Sequence, residues 1–311
     1  MNLRALRYFV AMADAGSLTA AAVVLSIAQP ALTRQLRELE ADLGVQLLQR
    51  TGRGVRLTPA GATLYESAQR MLAEAARVRQ QLSSQAGGPQ AAVALGASPT
   101  LTRVLLPGLF ERCRHLAGVN LIVREAFTPQ LLDALESGRV DLAIVTNPEP
   151  TRSLALQHLL VEPFALVTPA SRDMAPVVSL AQLAKIPLLM TSLHRGIVER
   201  LLAPLGARLQ IQAEIDSVDS IRELVLRGQW ATIMPVSVFG PERVADVRLS
   251  EISGAPLSRV LMLATRLERS QNPAIAVVAD RVRSEVTKLL GEGAFSFGPM
   301  RQTLAATPSA P

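Results

Sequence analysis

The first 85 residues are patterned as helices, broken once by a short stretch that alternates like strands. Leu3, Leu6, Phe9, Val10 and Ala13 recur at helical spacing and predict an opening helix with one apolar face. Gly16-Ser17 marks a stop and a fresh start, since glycine tolerates the left-handed turn that ends a helix and serine caps the next one. Ala20, Ala21, Val24 and Leu25 share a face of the second helix, and the small residues there admit a close neighbour. Ser26-Ile27-Ala28 leaves room only for a tight turn. Gln29-Pro30 opens a third helix, with proline where a missing N–H costs nothing. Leu32, Leu36, Leu39 and Leu43 form its buried stripe, which Gly44 ends. Gln29, Thr33, Arg34 and Arg37 lie off the stripe and face outward. Leu47–Arg50 and Val55–Leu57 then read as two short strands about Thr51-Gly52-Arg53-Gly54.

Thr58-Pro59 starts a long helix that runs to about Gln85. Leu64, Ala68, Met71, Ala75, Val78 and Leu82 keep spacings of four and three along it, a heptad seam that needs a partner helix. The same helix of a second subunit would serve, as would the core of its own domain. Gly87-Gly88-Pro89 breaks the helix and marks a domain boundary. Beyond it strands and helices alternate: Ala92–Gly96, Leu101–Leu116, Asn120–Arg124, Pro129–Glu136 and Leu142–Val145, the pattern of a parallel sheet in an α/β domain. An internal echo appears in TPQLLDALESGRVDLAIV and DSIRELVLRGQWATIMP. Counted from Gly138 and Gly228, Leu131 matches Ile221, Leu135 matches Val225, and Ala143-Ile144 matches Ile233-Met234. Two helix–glycine–strand units of this kind suggest two similar α/β subdomains.

Charge sharpens the picture at the N-terminus. The chain of 311 residues carries a net charge of +6, and its first 56 residues hold seven arginines against four acids. A basic terminal domain suits an anionic partner, though a merely soluble basic domain has the same charge. A helix, a tight turn and a second helix with exposed Gln29, Thr33 and Arg34 near its start is the helix-turn-helix arrangement, whose second helix fits the DNA major groove. The loop about Arg53, flanked by Arg50 and Arg56, is a candidate wing for phosphate or a minor groove. An ordinary helical hairpin with a solvated basic loop is the plainer alternative.

Other chemistry is thinly represented. The single Cys113 forms no internal disulfide and, with no secretory signal in Met1–Val10, leads us to expect a cytoplasmic protein. No apolar run reaches the roughly 20 residues that span a bilayer. His115, His158 and His194 offer no metal-ligand spacing beyond the Cys113–His115 pair, and no GxSxG, phosphate loop or dinucleotide fingerprint occurs. Neither a cofactor, a metal nor enzymatic activity is therefore expected.

Residues 1–65 resemble the winged helix-turn-helix of LysR-type transcriptional regulators. The resemblance rests on Phe9, Gly16-Ser17, Ala21-Ala22, Gln29-Pro30-Ala31-Leu32, Leu39-Glu40, Leu43-Gly44, Leu47, Arg50 and Leu57-Thr58-Pro59-Ala60-Gly61. Thr33 stands where the family usually has serine and Leu48 where it usually has phenylalanine. Ile27-Ala28-Gln29-Pro30 and Arg50–Val55 also resemble the nitrogen-assimilation-control branch. The resemblance implies double-stranded DNA as partner, a homodimer through the long helix, and a homotetramer. RNA polymerase is a further partner compatible with it. It assigns DNA contacts to Gln29, Pro30, Thr33, Arg34, Arg37, Arg50 and Arg53.

A looser resemblance runs on to about Leu290. It implies a two-lobed, periplasmic-binding-protein-like α/β effector domain after the mainly α winged helix-turn-helix and its linker helix. The expected layout is residues 1–58 for DNA binding, 59–88 for the linker helix, 89–162 with 265–291 for one lobe, 163–264 for the other, and 292–311 for a disordered tail. The lobes would be joined by crossing strands near Glu162–Ala165 and Leu263–Arg266. Ligands of open α/β sheets sit at strand ends beside helix N-termini, which favour anions. The loops at Ser98-Pro99-Thr100, Thr128-Pro129, Thr146-Asn147, Thr191–Gly196 and Met234-Pro235-Val236 qualify. The family resemblance places ligand contacts at Ser98, Thr100, Thr128, Thr191 and Ser192. Thr146 is added by its strand end, while His194 and Arg195 are candidates to neutralise an acid group. Ser98 and Thr128 are equally plain helix caps. The expected function is a sequence-specific regulator controlled by a small, anionic effector. A ligand-independent regulator and a DNA-tethered enzyme are the alternatives.

Overall fold

The computed structural model describes residues 1–52, 54–85, 91–113, 119–239 and 246–297. Arg53, Gly87-Gly88-Pro89, His115 and residues 298–311, together with the Cys113 side chain, lie outside the described residues. Contacts divide the chain into two compact units. One holds 1–94, 117–122 and 132–141; the other holds 95–116, 123–131 and the chain from 142 onward.

Three helices open the first unit: α1 (Leu3–Ala15), α2 (Leu18–Leu25) and α3 (Gln29–Leu43). Gly16 and Gly44 take φ of 59° and 70° at the expected stops, and the Ser17 hydroxyl accepts the Ala20 N–H. Phe9, Met12, Ala21, Leu32, Leu39 and Leu47 are buried and form one core. A hairpin follows, β1 (Leu48–Thr51) against β2 (Gly54–Leu57), with Thr51 opposite Gly54. The Glu40 carboxylate at the end of α3 accepts from the N–H groups of Leu47 and Leu48, fixing where the hairpin begins. The Val55 N–H donates to the Gly16 carbonyl at 2.8 Å. Gly54 has φ 136°, and a Cβ there would stand 2.2 Å from the same carbonyl oxygen, so only glycine lets the hairpin approach the α1–α2 turn.

The face of α2 differs from expectation. Leu18, Ala21 and Ala22 are buried, whereas Val24 is 75% exposed and Ala20 is exposed. The segment LTAAAVVL is apolar all round, so its pattern alone selects no face; packing on α1 and α3 does. Leu43, expected in the stripe of α3, is also exposed, because it is the helix's last residue.

The long helix is α4 (Pro59–Gln85), begun by Thr58, whose hydroxyl accepts the Gly61 N–H. Its heptad seam divides in two. Leu64 packs against the helix-turn-helix core and Ala68 is fully buried, while Met71, Val78 and Leu82 are exposed. The reading of the seam as part of its own domain's core therefore holds for its first part, and its second part faces outward.

The α/β region contains β3 (Ala91–Ala97), α5 (Pro99–Cys113), β4 (Val119–Glu125), α6 (Thr128–Glu136), β5 (Leu142–Thr146) and β6 (Leu154–Pro169). It continues with β7 (Val177–Ser179), α7 (Leu180–Leu183), β8 (Pro187–Met190), α8 (Ser192–Leu202), β9 (Gln210–Glu214) and α9 (Val218–Leu226). The remainder is β10 (Thr232–Pro235), β11 (Val247–Ser253), β12 (Ser258–Arg266) and α10 (Pro273–Gly291). The strand order is β4-β3-β5-β12-β6-β11-β7, with β10 also on β6. β8 pairs with β9 and is bridged to Ala231 beside β10.

Strand β6 joins two halves of this sheet. Leu154–Pro163 pairs with β12, whereas Phe164–Pro169 pairs with β10 and β11. The second half is covered on both faces. Leu183, Val198 and Leu202 pack on one side, and Ile221 and Val225 on the other. Such double cover explains why Thr232–Pro235 is buried throughout. The repeat holds in space: α6 and α9 each end before a glycine of positive φ, Gly138 and Gly228, ahead of β5 and β10.

Two expected boundaries move. The return crossing lies at 254–257, not at Leu263–Arg266. Strand β12 already pairs with Pro163 at Ser258, and Leu263 stands opposite Ile144. An alternating apolar strand looks alike in either lobe, so pattern could not place it. The supposed disordered tail is also packed at its start. Phe295 is buried and Phe297 touches the second-lobe core, two aromatics that offset a run of glycine, alanine and serine.

Candidate functional site

Five of the seven residues singled out for DNA contact stand together. Gln29, Pro30, Thr33, Arg34 and Arg37 line one surface concavity of about 490 Å³ on the N-terminal half of α3. Helical spacing puts them there, because the buried Leu32, Leu36 and Leu39 turn the opposite face outward. The Thr33 hydroxyl donates to the Gln29 carbonyl at 3.0 Å. Arg34 is 80% exposed and its Nε donates to Glu38 Oε1 at 2.7 Å, so the guanidinium is held along the helix by an ion pair that water weakens. Arg50 is exposed at the end of β1.

The candidate ligand residues are set at helix starts near β6 and β12. Ser98 and Thr100 are buried and share a hydroxyl hydrogen bond of 3.0 Å. Thr128 accepts the Thr146 N–H at 2.9 Å, tying α6 to the end of β5. Asn147, with φ 44°, exchanges two hydrogen bonds with Val260. Thr191 to Gly196, expected as a loop, is the capped first turn of α8, with Thr191 accepting from the His194 N–H at 3.1 Å. Ser192 donates its N–H and hydroxyl to Asp216, holding that carboxyl below the usual range.

Neither basic candidate is available to an acid group in this arrangement. Arg195 is committed to Glu199 and Glu214. His194 is 1% exposed, and burial, followed by the Arg259 charge, pushes its pKa down to about 3. It is neutral, packs edge-on to Phe164, and its Nδ1 has no hydrogen-bond partner among the described residues.

The charge at this site comes from residues the pattern passed over. Arg259 and Glu162 are cross-strand neighbours on β12 and β6, with 1% and 0% side-chain exposure. Arg259 Nε donates to Glu162 Oε2 at 2.8 Å, and its Nη1 lies 3.3 Å from the Thr100 hydroxyl. Glu162 Oε1 accepts the Ser237 N–H at 2.9 Å. One ion pair thus touches α5 on one side and the turn after β10 on the other. A second, more exposed pair joins Arg103 of α5 to Asp219 of α9. Beside it a cavity of about 180 Å³ is lined by Pro99, Arg103, Phe127, Asp216 and Ser217–Asp219. A charged residue inside an apolar strand, as in VEPFALV and SRVLML, was the available signal for Glu162 and Arg259. Nothing in the local pattern marks Asp216 or Asp219.

Comparison with known proteins defines the class. Residues 3–62 match the bacterial regulatory helix-turn-helix protein, lysR family, and residues 86–287 match the LysR substrate binding domain. The chain belongs to the LysR family: it is a DNA-binding transcriptional regulator with a substrate-binding domain, and not an enzyme. Among its relatives is the nitrogen assimilation regulatory protein nac of Klebsiella aerogenes, 30% identical over 295 residues, which are 93% of this chain and 96% of that protein. The DNA-binding transcriptional dual regulator OxyR of Escherichia coli (strain K12) is 30% identical over 255 residues, 79% of this chain and 83% of OxyR. The solved structure of full-length CbnR complexed with its target DNA is 26% identical, covers 92% of this chain and 100% of that one, and superposes with a TM-score of 0.66. Among the described residues no helix is long and apolar enough to cross a membrane, and no group of three or more His, Cys, Asp or Glu could hold a metal.

Proposed function

We propose that this regulator reads an interrupted palindrome with Gln29, Thr33 and Arg34 on base edges. Pro30 and Arg37 border that contact, and Arg50 and Arg53 hold phosphate or minor groove. The observation that carries this reading is the shared concavity on α3, which gathers five of these residues on one exposed face. Dimers form through the exposed part of the α4 seam and pair into a tetramer in the cytoplasm, with RNA polymerase as the further partner. A bidentate arginine contact is worth roughly 1–3 kcal/mol of discrimination. Arg34→Ala is therefore expected to weaken operator binding about tenfold or more, while binding to random DNA changes little; equal losses on both would make Arg34 a phosphate contact instead.

The effector occupies the cleft between the two lobes, against Ser98, Thr100, Thr128, Thr146, Thr191, Ser192 and His194. The unpartnered Nδ1 of the buried His194 supports this, since an orphaned polar atom gains from a ligand partner. Binding there shifts the lobes and so the spacing of the DNA-binding heads. The proposed domains are 1–58 and 59–88 as expected from sequence, then 89–162 with 258–297 as one lobe and 163–257 as the other. A thermal-shift screen of small carboxylates, amino acids and aromatic acids tests the reading. A ligand at about 100 times its Kd adds roughly 2.7 kcal/mol. A shift that Thr100→Val abolishes supports the cleft; no shift across the library favours a ligand-independent regulator.

A further inference from the structure

Residues 1–56 hold four acids, and three of them serve the fold. Glu40 takes the Leu47 and Leu48 N–H groups, Asp14 accepts the Tyr65 hydroxyl, and Asp42 pairs with the Met1 amine. Glu38 has another kind of partner, because both its oxygens are engaged by polar neighbours on α3 itself. Arg34 Nε donates to Oε1 at 2.7 Å, and Gln35 Nε2 donates to Oε2 at 2.6 Å. Helix stability gives little reason for this arrangement. An acid four residues after a base is the weaker order for such a pair, and side chains 80% and 50% exposed are screened by water. A carboxylate beside the DNA-facing arginines also costs affinity for phosphate. What the contact does fix is the arginine fork. A guanidinium held through Nε has given up its side-on edge and keeps its end-on pair, Nη1 and Nη2. Two parallel N–H groups are what the O6 and N7 of guanine accept.

Resting on the reading of Arg34 as a base contact, we propose that Glu38 is a positioning residue for sequence recognition: braced by Gln35, it aims the Arg34 fork end-on at a guanine. Arg34 then loses less freedom when it binds, and it offers the bidentate geometry rather than a single point of charge. The hold tightens as α3 enters the groove, since excluding water strengthens the attraction between the two charges.

The test uses the full chain, a duplex that the wild type selects from a random-sequence pool, and a scrambled duplex of the same length, all at one salt concentration. The readout is the ratio of the two affinities, because loss of one negative charge raises binding to any duplex alike. Glu38→Ala is expected to lower that ratio threefold or more with an unchanged melting temperature, and to relax the same base pair that Arg34→Ala relaxes. Glu38→Gln keeps an acceptor for both donors and is expected to hold the ratio within about twofold of wild type, a rescue that a role in overall charge would not give. With Arg34 already alanine, Glu38→Ala is expected to leave the ratio unchanged. Three results would overturn the proposal: Glu38→Ala leaves the ratio intact, Glu38→Gln loses as much as alanine, or the loss is as large in the Arg34→Ala background. If Arg34→Ala lowers the ratio and Glu38→Ala does not, the base contact stands and only the positioning role falls. If Arg34→Ala leaves the ratio unchanged, or the wild type selects no sequence, the base contact falls and the positioning role with it.

Discussion

Replacing Arg259 with methionine tests whether the Arg259–Glu162 pair is a structural joint of the effector domain. The side chains are 1% and 0% exposed, and the Glu162 carboxylate has one further donor, the Ser237 N–H. Arg259→Met fills similar space but leaves a buried carboxylate uncompensated, which costs about 3–5 kcal/mol. With a urea slope of roughly 2 kcal/mol per molar, a loss of about 4 kcal/mol lowers the midpoint by about 2 M. Trp230 is the single tryptophan and packs against the second-lobe core, so its fluorescence follows this region. Glu162→Gln keeps an acceptor for Ser237 while removing the charge. The double variant Arg259→Met/Glu162→Gln should therefore recover much of the stability, with a coupling of about 2 kcal/mol or more. A midpoint shift below roughly 0.5 M for Arg259→Met, or strictly additive losses in the double variant, would refute the reasoning, because a pair that dry cannot be both broken and harmless.

Three more outcomes are expected. His194 titrates near 6.5 when unfolded but near 3 when folded, so above pH 6.5 it has no effect; below that the unfolded chain takes a proton the native state refuses. Stability should fall by on the order of 2 kcal/mol by pH 5, and His194→Gln should remove that part of the acid loss in melting curves. Gly54→Ala should lower the melting temperature of the DNA-binding unit and weaken operator binding, since its Cβ would meet the Gly16 carbonyl at 2.2 Å; unchanged melting would mean the hairpin relaxes freely. Val78→Glu with Leu82→Glu should halve the mass in solution with helicity retained, whereas Leu64→Glu should unfold the helix-turn-helix core; a full-size oligomer in the double variant would place the subunit contact elsewhere.

The helix-turn-helix was legible because every signal for it is local. Gly16-Ser17, Gln29-Pro30 and Gly44 are punctuation within a few residues of what they govern, and the spacing Leu32–Leu36–Leu39 orients α3 without reference to the rest of the chain. The same holds for β10, whose largely apolar run fits a strand covered on both faces. Where a segment is apolar on all sides, as in α2, the pattern was silent about which face is buried, and Val24 came out exposed.

What the sequence by itself determined was therefore the order and kind of the elements, the outward-facing polar side of α3, and the hydroxyl-bearing helix starts at Ser98, Thr128 and Thr191. Tertiary structure alone decided where the crossing strands lie, that Leu64 and Leu82 serve different surfaces, and which charges meet at the cleft. Glu162 and Arg259 stand 97 residues apart, and Arg103 and Asp219 are farther apart still. Helical and strand periodicities report only a residue's own element, while an ion pair depends on the register of two strands or the packing of two helices. That register is set by the summed burial of many side chains, and no short stretch of sequence carries it.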